Sequence, residues 1–253
     1  MMKIHRLILI ILLPFAVDAQ VPKSDQIKPV RIEDNFVNDT TFEKDEKDPQ
    51  LIHLIVKNPK GVVVSQGLMK SNKKEGVWRY YGATGLMTVL EEYRAGQKNG
   101  SMIKFGSGTQ ISVDATYKND SLNGQKTTFG TNNKIKTVEN YKNGILHGNR
   151  KAYYEDGKLQ EDCNFNNGKK DGKAIWYLQS GQPSVEYSYT EGILNGTARE
   201  YNSKGAILRE GNFKNDSEEG EWILYEDSNV TKKVFYKNGE VIKSSIVTPP
   251  KTK

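Results

Sequence analysis

A repeat of 24 residues constrains this chain more than any other feature of its sequence. Seven glycines recur at that spacing: Gly76, Gly100, Gly124, Gly148, Gly172, Gly196 and Gly220. A fixed period of roughly 20 to 50 residues is typical of proteins that stack one supersecondary unit along an axis, so that each unit covers the apolar face of its neighbour. We therefore predict a single repeat array, and we number the positions of each repeat from its glycine.

Aromatic residues keep the same period in two columns. Position 5 is aromatic in every repeat: Tyr81, Phe105, Phe129, Tyr153, Tyr177, Tyr201 and Tyr225. Position 17 is aromatic too, with the last repeat one residue short: Tyr93, Tyr117, Tyr141, Phe165, Tyr189, Phe213 and Tyr236. We predict that these columns form a structural core of cross-strand pairs. The alternative is an exposed ladder that stacks a ligand.

Two sets of turn residues divide each repeat into two strands. Gly85 and Gly157 belong to the first set, at position 9, and Asn143-Gly144 belongs to the second, at position 20. Asn-Gly is the strongest short-range signal for a β-hairpin, and the segments between the turns are rich in residues that suit strands. The sequence predicts an all-β fold, an elongated array of 24-residue antiparallel hairpins in one meandering sheet.

Side-chain alternation along a strand predicts which residues share a face. Positions 11, 13 and 17 are predicted to lie on one apolar face, as at Ile111 and Tyr117, whereas position 16 is polar, as at Thr116. On the first strand of each repeat, positions 2 and 4 are predicted to face away from the position-5 aromatic residue.

The array is predicted to span residues 51–241, with a degenerate first copy at 51–72 that is in register through Gly61. Residues 20–50 carry a net charge of −3 and three prolines, which predicts a disordered acidic linker. Residues 242–253 are predicted to be a C-terminal tail. Eight repeats of two strands, at roughly 4.8 Å per strand, would make the array about 75 Å long.

The first 19 residues have the features of a secretory signal peptide. Lys3 and Arg6 precede an apolar stretch from Leu7 to Phe15, and Val17-Asp18-Ala19 forms a small-residue cleavage site. We therefore expect the protein to be exported, to a periplasm or to the outside of the cell. The sequence contains no later apolar segment long enough for a transmembrane helix.

The residues that usually carry catalysis or bind metals are scarce. Cys163 is the only cysteine, and we expect it to be a buried free thiol. The histidines His5, His53 and His147 do not have the spacing of metal ligands. A carboxylate pair for glycoside hydrolysis would be expected to interrupt the repeat, and no acidic residue does so. We predict a protein without enzymatic activity, catalytic residues, metal or cofactor.

Positions 2 and 4 supply the candidate interaction surface. Its residues are Trp78, Tyr80, Lys126, Arg150, Trp176 and Trp222. Trp, Tyr and Arg are the residue types that most often dominate binding energy at interfaces, and the basic residues suit an acidic protein or another anionic surface. Nucleic acid is disfavoured because we expect export. The alternative is that the tryptophans of the end repeats cover the edges of the sheet.

Two segments, Tyr153 to Gly172 and Glu200 to Asp216, resemble the bacterial variant of the MORN repeat. The resemblance extends over about residues 51–241, and proteins of this kind include the YwqK-family antitoxins. It implies a β-hairpin array used for interaction, with no catalytic residues. The predicted function is that of an exported scaffold that binds another protein or an envelope component. The alternatives are an antitoxin-like or immunity protein that neutralises a secreted effector, and a binder of surface glycans. The oligomeric state is left open.

Overall fold

The computed structural model describes residues 39–45, 48, 50–107, 110–227 and 230–247. This part of the chain forms 18 β-strands and one short 3-10 turn at Thr131–Asn133. Each strand pairs antiparallel with the next strand along the chain, so the sheet is a meander. The predicted all-β array of hairpins is confirmed.

The strands have the following bounds: β1 Asp39–Lys44, β2 Leu51–Lys57, β3 Val63–Lys70, β4 Lys73–Tyr81, β5 Met87–Arg94, β6 Gln97–Phe105, β7 Ile111–Lys118, β8 Ser121–Phe129, β9 Ile135–Lys142, β10 Ile145–Tyr153, β11 Leu159–Asn166, β12 Lys169–Tyr177, β13 Pro183–Thr190, β14 Ile193–Tyr201, β15 Ile207–Lys214, β16 Ser217–Asp227, β17 Val230–Lys237 and β18 Glu240–Val247. Among the described residues, no helix is long and apolar enough to cross a bilayer.

The sheet is longer than predicted by one strand at each end. Strand β1 lies within the predicted disordered linker and pairs with β2. Strand β18 lies mostly within the predicted tail and pairs with β17. The predictions of a disordered linker and a C-terminal tail were therefore wrong for the residues that form β1 and β18. Neither strand carries the repeat signature, and each is ordered by pairing with the end of the regular sheet. The predicted signal peptide and the start of the linker, residues 1–38, lie outside the described residues.

The turns have the backbone conformation that their residue types predict. Asn143 and Gly144 both have positive φ, at 51° and 80°. Asn and Gly tolerate this region best, and a two-residue hairpin of type I′ needs it at both positions. Gly85 and Gly157, in the first set of turns, also have positive φ. His147 lies within β10, next to the glycine that begins its repeat.

An irregularity within each hairpin changes which residues share a face. Tyr80 pairs with Val89, but the next residue, Tyr81, pairs with Met87, so the second strand contains one extra residue. Five later hairpins have the same shift between positions 4 and 5. Paired residues point to the same side of the sheet, so position 11 shares a face with position 5. The prediction that position 11 shares a face with positions 13 and 17 was wrong.

A second irregularity lies between repeats, at the glycine that defines the period. Tyr93 pairs with Lys98 and Glu91 pairs with Met102, so the first strand of the later repeat contains two extra residues. Gly100 lies among them with φ of 125°, where an added Cβ would lie 2.9 Å from the Cβ of Glu92. A side chain at Gly100 would strain the backbone and clash with Glu92. All seven glycines of the period have positive φ, which explains why the repeat has glycine here.

The core lies on the side of the sheet that carries positions 2, 4, 13, 15 and 17, which we call the core face. Positions 2 and 15 of successive strands form its central row: Gly67, Trp78, Glu91, Met102, Ala115, Lys126, Glu139, Arg150, Cys163, Ala174, Tyr187, Ala198, Gly211, Trp222 and Val234. Most of the buried hydrophobic residues belong to this row.

Large and small residues alternate along parts of the central row. The indole of Trp78 lies over Gly67, where an added Cβ would come within 2.5 Å of the ring. Its Nε1 donates a hydrogen bond to the Leu68 carbonyl at 2.9 Å. Trp222 repeats this arrangement with Gly211, donating to the Asn212 carbonyl at 3.1 Å. A glycine on one strand thus leaves the space that a tryptophan on the next strand fills.

The position-5 aromatic residues lie on the opposite face, where Tyr153 and most of the others are half-buried and Tyr225 is exposed. The position-17 residues pack on the core face, where Phe165 is buried with Cys163 and Ala174. The predicted aromatic core is therefore confirmed for position 17. For position 5 it was wrong, because the irregularity within each hairpin separates the two columns.

Candidate interaction surface

The six predicted surface residues all lie on the core face, at positions 2 and 4. Trp78 and Trp222 are only 2% and 0% exposed, so these two belong to the core and are not available to a partner. They do not cover the sheet edges either, because they lie in β4 and β16. Tyr80, Lys126, Arg150 and Trp176 are half-buried and remain candidates.

Five charged side chains from five consecutive strands form an ion-pair chain in the middle of the core face: Lys126, Glu139, Arg150, Glu161 and Lys170. The Lys126 Nζ lies 3.7 Å from Glu139, and the Arg150 Nε lies 3.4 Å from Glu139. Arg150 also pairs with Glu161 through its terminal guanidinium nitrogen. The Lys170 Nζ lies 3.0 Å from Glu161. Each carboxylate therefore contacts two cations, and the chain carries one net positive charge.

Aromatic rings flank the cations of the ion-pair chain. The Lys170 Nζ lies 4.4 Å from the centre of the Trp176 ring and 5.5 Å from that of Tyr189. The Lys126 Nζ lies 5.8 Å from the centre of the Tyr141 ring. Cations at these distances are attracted to the ring face. Tyr141, Trp176 and Tyr189 in turn pack against the buried cluster that contains Cys163, so the charged layer lies directly over the core.

Burial keeps the Cys163 thiol and the Tyr141 hydroxyl, which lie beneath this layer, neutral. It raises the pKa of the Cys163 thiol to about 12, with the nearby Glu161 charge acting in the same direction. Burial and the Glu139 charge also raise the pKa of Tyr141, whose hydroxyl donates a hydrogen bond to Glu139 at 3.1 Å. A thiol nucleophile must be ionised to react, so Cys163 is suited to packing. The expectation of a buried free thiol is confirmed.

The first repeats place a lysine inside a group of aromatic rings. The Lys74 Nζ lies 4.5 Å from the ring centre of Trp78, 5.0 Å from that of Tyr80 and 4.9 Å from that of Tyr93. It also donates a hydrogen bond to the Tyr80 hydroxyl at 2.6 Å. Burial lowers the pKa of Lys74, although the charge of Glu91 opposes this shift.

The last repeats contain a second charged cluster, around Arg209. Its guanidinium donates hydrogen bonds to Glu200 at 2.6 Å and to Glu218 at 2.7 Å, and it lies 4.8 Å from the centre of the buried Trp222 ring. Burial alone would raise the pKa of Glu200, but the hydrogen bond and charge of Arg209 outweigh it and lower that pKa. With one cation and two carboxylates, this cluster is negative overall.

Of the five residues in the ion-pair chain, Lys126 and Arg150 were predicted from the sequence, and Glu139, Glu161 and Lys170 were not. A signal for the glutamates was present, because Glu139 and Glu161 occupy positions 15 and 13, where other repeats have Ala115 and Val113. A carboxylate at a position that is apolar elsewhere needs a buried cation beside it. Among the described residues, no group of three or more His, Cys, Asp or Glu side chains could hold a metal ion.

Two segments of the chain match a family model described as "MORN repeat variant", at residues 146–167 and 194–215. The first segment comprises most of β10 and all of β11, and so contains Arg150, Glu161 and Cys163. The second comprises most of β14 and all of β15, with Arg209. No curated protein matches the chain.

Proposed function

We propose that this protein is an exported, non-enzymatic scaffold that binds an acidic protein or envelope component through the ion-pair chain, the adjoining ring of Trp176 and, further along the same face, the ring of Tyr80. Repeats of the matched family are generally protein- or membrane-binding motifs. The export part of the proposal rests on the N-terminal charge and apolar pattern of residues 1–19.

The observation that carries the proposal is the position of the two lysines at the ends of the ion-pair chain. Lys126 and Lys170 are 24% and 28% exposed and each contacts one carboxylate, whereas Glu139 and Glu161 are 15% and 13% exposed. Cations therefore face solvent more than carboxylates do. A carboxylate of a partner can bind either lysine while Arg150 continues to pair with both glutamates.

The rings beside the lysines favour the same kind of partner. Trp176 lies next to Lys170 and is half-buried, so it can contact an apolar group adjacent to the partner's carboxylate. Interfaces commonly combine a buried aromatic residue with charges that orient the partner and speed its association. Because these charges are partly exposed, binding is expected to weaken as salt concentration rises.

The test compares two pairs of substitutions that remove the same charge from the two faces. The core-face variant is Lys126→Gln with Lys170→Gln. The control is Lys151→Gln with Lys173→Gln, because these lysines lie on the opposite face, in β10 and β12, where they pair with Asp162 and Glu186 at 3.5 and 2.7 Å. Tagged protein would be used to capture partners from an envelope extract, and the affinity for the captured partner would then be measured. Circular dichroism would check that both variants fold.

We expect the core-face variant to bind the partner about tenfold more weakly and the control to bind like the unmodified protein. Equal binding by the two variants would refute the proposed site. The identity of the partner distinguishes a scaffold from an immunity protein. If the partner is a secreted effector and the purified protein abolishes its toxicity, the protein is an immunity factor.

A further inference from the structure

The most exposed large hydrophobic side chains of the described residues lie on the two edge strands. Phe42 on β1 is 67% exposed, and Val241, Ile242 and Ile246 on β18 are 58%, 65% and 69% exposed. In the described part of the chain, β1 pairs with β2 and β18 pairs with β17, so each presents an open row of backbone groups. Such an edge is a template for a further strand.

We propose that β18 of one copy of this protein pairs with β1 of a second copy, so that one sheet continues into the next. Each strand in the array is antiparallel to the one before it. An antiparallel β1 from a second copy would therefore follow β18 in the same way that β17 follows β16. This contact is distinct from the acidic partner proposed above, since it uses the sheet edges and not the ion-pair chain.

The array's own register predicts which residues meet. Ser244 pairs with Val234, the last residue of the central row, so Ser244 occupies the central-row position of β18. Phe42 pairs with Leu54, which pairs with Gly67 of that row, so Phe42 takes the same place in β1. Because central-row residues pair with each other across neighbouring strands, Phe42 of the second copy would lie opposite Ser244.

This pairing reproduces the packing inside the array. Tyr187 lies between the small residues Ala174 and Ala198 in the central row, and Phe42 of the second copy would likewise lie beside the small Ser244. In an antiparallel pair the diagonal neighbour on the same face is also within reach. Phe42 would therefore contact Ile246 as well, so the two most exposed apolar side chains of the two edges would cover each other.

The same register also brings opposite charges together. With Ser244 opposite Phe42, Lys243 lies opposite Glu43 of the second copy. Opposite charges directly across a strand pair stabilise it, and like charges destabilise it. Strand β1 carries Asp39 and Glu43 against Lys44, a net negative charge, whereas the charge at the middle of β18 is that of Lys243.

The association is heterologous, because it joins two different edges. After one contact forms, a free β1 and a free β18 remain at the two ends, so further copies can add. A symmetric pairing of β18 with β18 would instead stop at a dimer. Sedimentation equilibrium of the purified protein over a range of concentrations distinguishes these outcomes, and we expect an average mass that rises beyond that of a dimer.

Phe42→Asp and Ile246→Asp test the two edges separately. Each variant alone should be unable to form chains, and an equimolar mixture should form a one-to-one complex, since one variant retains an intact β18 and the other an intact β1. Leu86→Asp is the control, because Leu86 is 50% exposed but lies in a turn, and it should associate like the unmodified protein. Phe42 and Ile246 are exposed, so neither substitution is expected to prevent folding.

The charge pair provides a second test. Lys243→Glu should raise the dissociation constant about fivefold, and adding Glu43→Lys to the same chain should restore it. The proposal is overturned if the unmodified protein is monomeric at all concentrations. It is also overturned if Phe42→Asp still forms the same assemblies while Ile246→Asp does not, which would indicate pairing of β18 with itself.

Discussion

At the scale of single residues, the fold depends on which side chains share the central row. Trp78 fits because Gly67 has no side chain beneath the indole, and the ring is further held by its hydrogen bond to Leu68. Interiors are packed closely enough that one added methyl group in such a contact must displace its neighbours.

Gly67→Ala tests this packing. The added Cβ would lie 2.5 Å from a ring atom of Trp78, and that ring is 2% exposed and has little room to move. We expect the free energy of unfolding to fall by about 1–3 kcal/mol, the usual cost of overpacking. Gly106→Ala is the matched control, because there the nearest side-chain atom is 3.6 Å away, and its effect should stay within about 0.5 kcal/mol. Urea unfolding of the two variants gives both values, and equal stabilities would contradict this account of the row.

At the scale of strands, the irregularity within each hairpin places the aromatic residues of positions 5 and 17 on opposite faces of the sheet, although the repeat pattern alone suggests that they share one face. The sequence shows aromatic residues at positions 5 and 17 with equal regularity. Simple alternation does not reveal the extra residue at position 12, so the two columns could not be assigned to different faces before the pairing of Tyr81 with Met87 was known.

Phe165→Ala and Tyr153→Ala measure the difference between the two faces. Phe165 is buried in the cluster with Cys163, whereas Tyr153 is half-buried on the opposite face. We expect Phe165→Ala to cost about 3–5 kcal/mol of unfolding free energy, as for a large aromatic residue removed from a core. Tyr153→Ala should cost about 1–2 kcal/mol, because less apolar area is lost from burial. Thermal unfolding in which Tyr153→Ala is the more damaging change would place the core on the other face.

Much of the fold was predictable because the repeat is visible in every copy. The hairpins, both sets of turns and the degenerate first copy followed from the spacing of glycine and asparagine. The end strands were not predictable, because β1 and β18 lack the signature and are ordered by pairing with their neighbours. The candidate surface was only partly predictable, because whether a tryptophan such as Trp78 is exposed depends on a glycine in the preceding strand.

At the scale of the whole molecule, one face of the sheet serves as the core without a second layer of secondary structure among the described residues. Long charged side chains cover it instead, and their aliphatic parts can shield apolar groups while the charges reach solvent. The ion-pair chain over the Cys163 cluster is the clearest case. The same layer would therefore stabilise the fold and present cations to a partner.

The central claim is that one face of this single sheet is the core of the protein. Labelling of the natural cysteine tests it most directly, because Cys163 lies in the central row beneath the ion-pair chain and has no exposed area. Burial also raises its pKa to about 12, so little thiolate exists in the native protein near neutral pH. We expect a thiol reagent to label the native protein only as fast as it unfolds, and to label one thiol per chain completely in denaturant. Native labelling at the rate of an exposed cysteine would contradict the account, since it would mean that this face of the sheet is not the core.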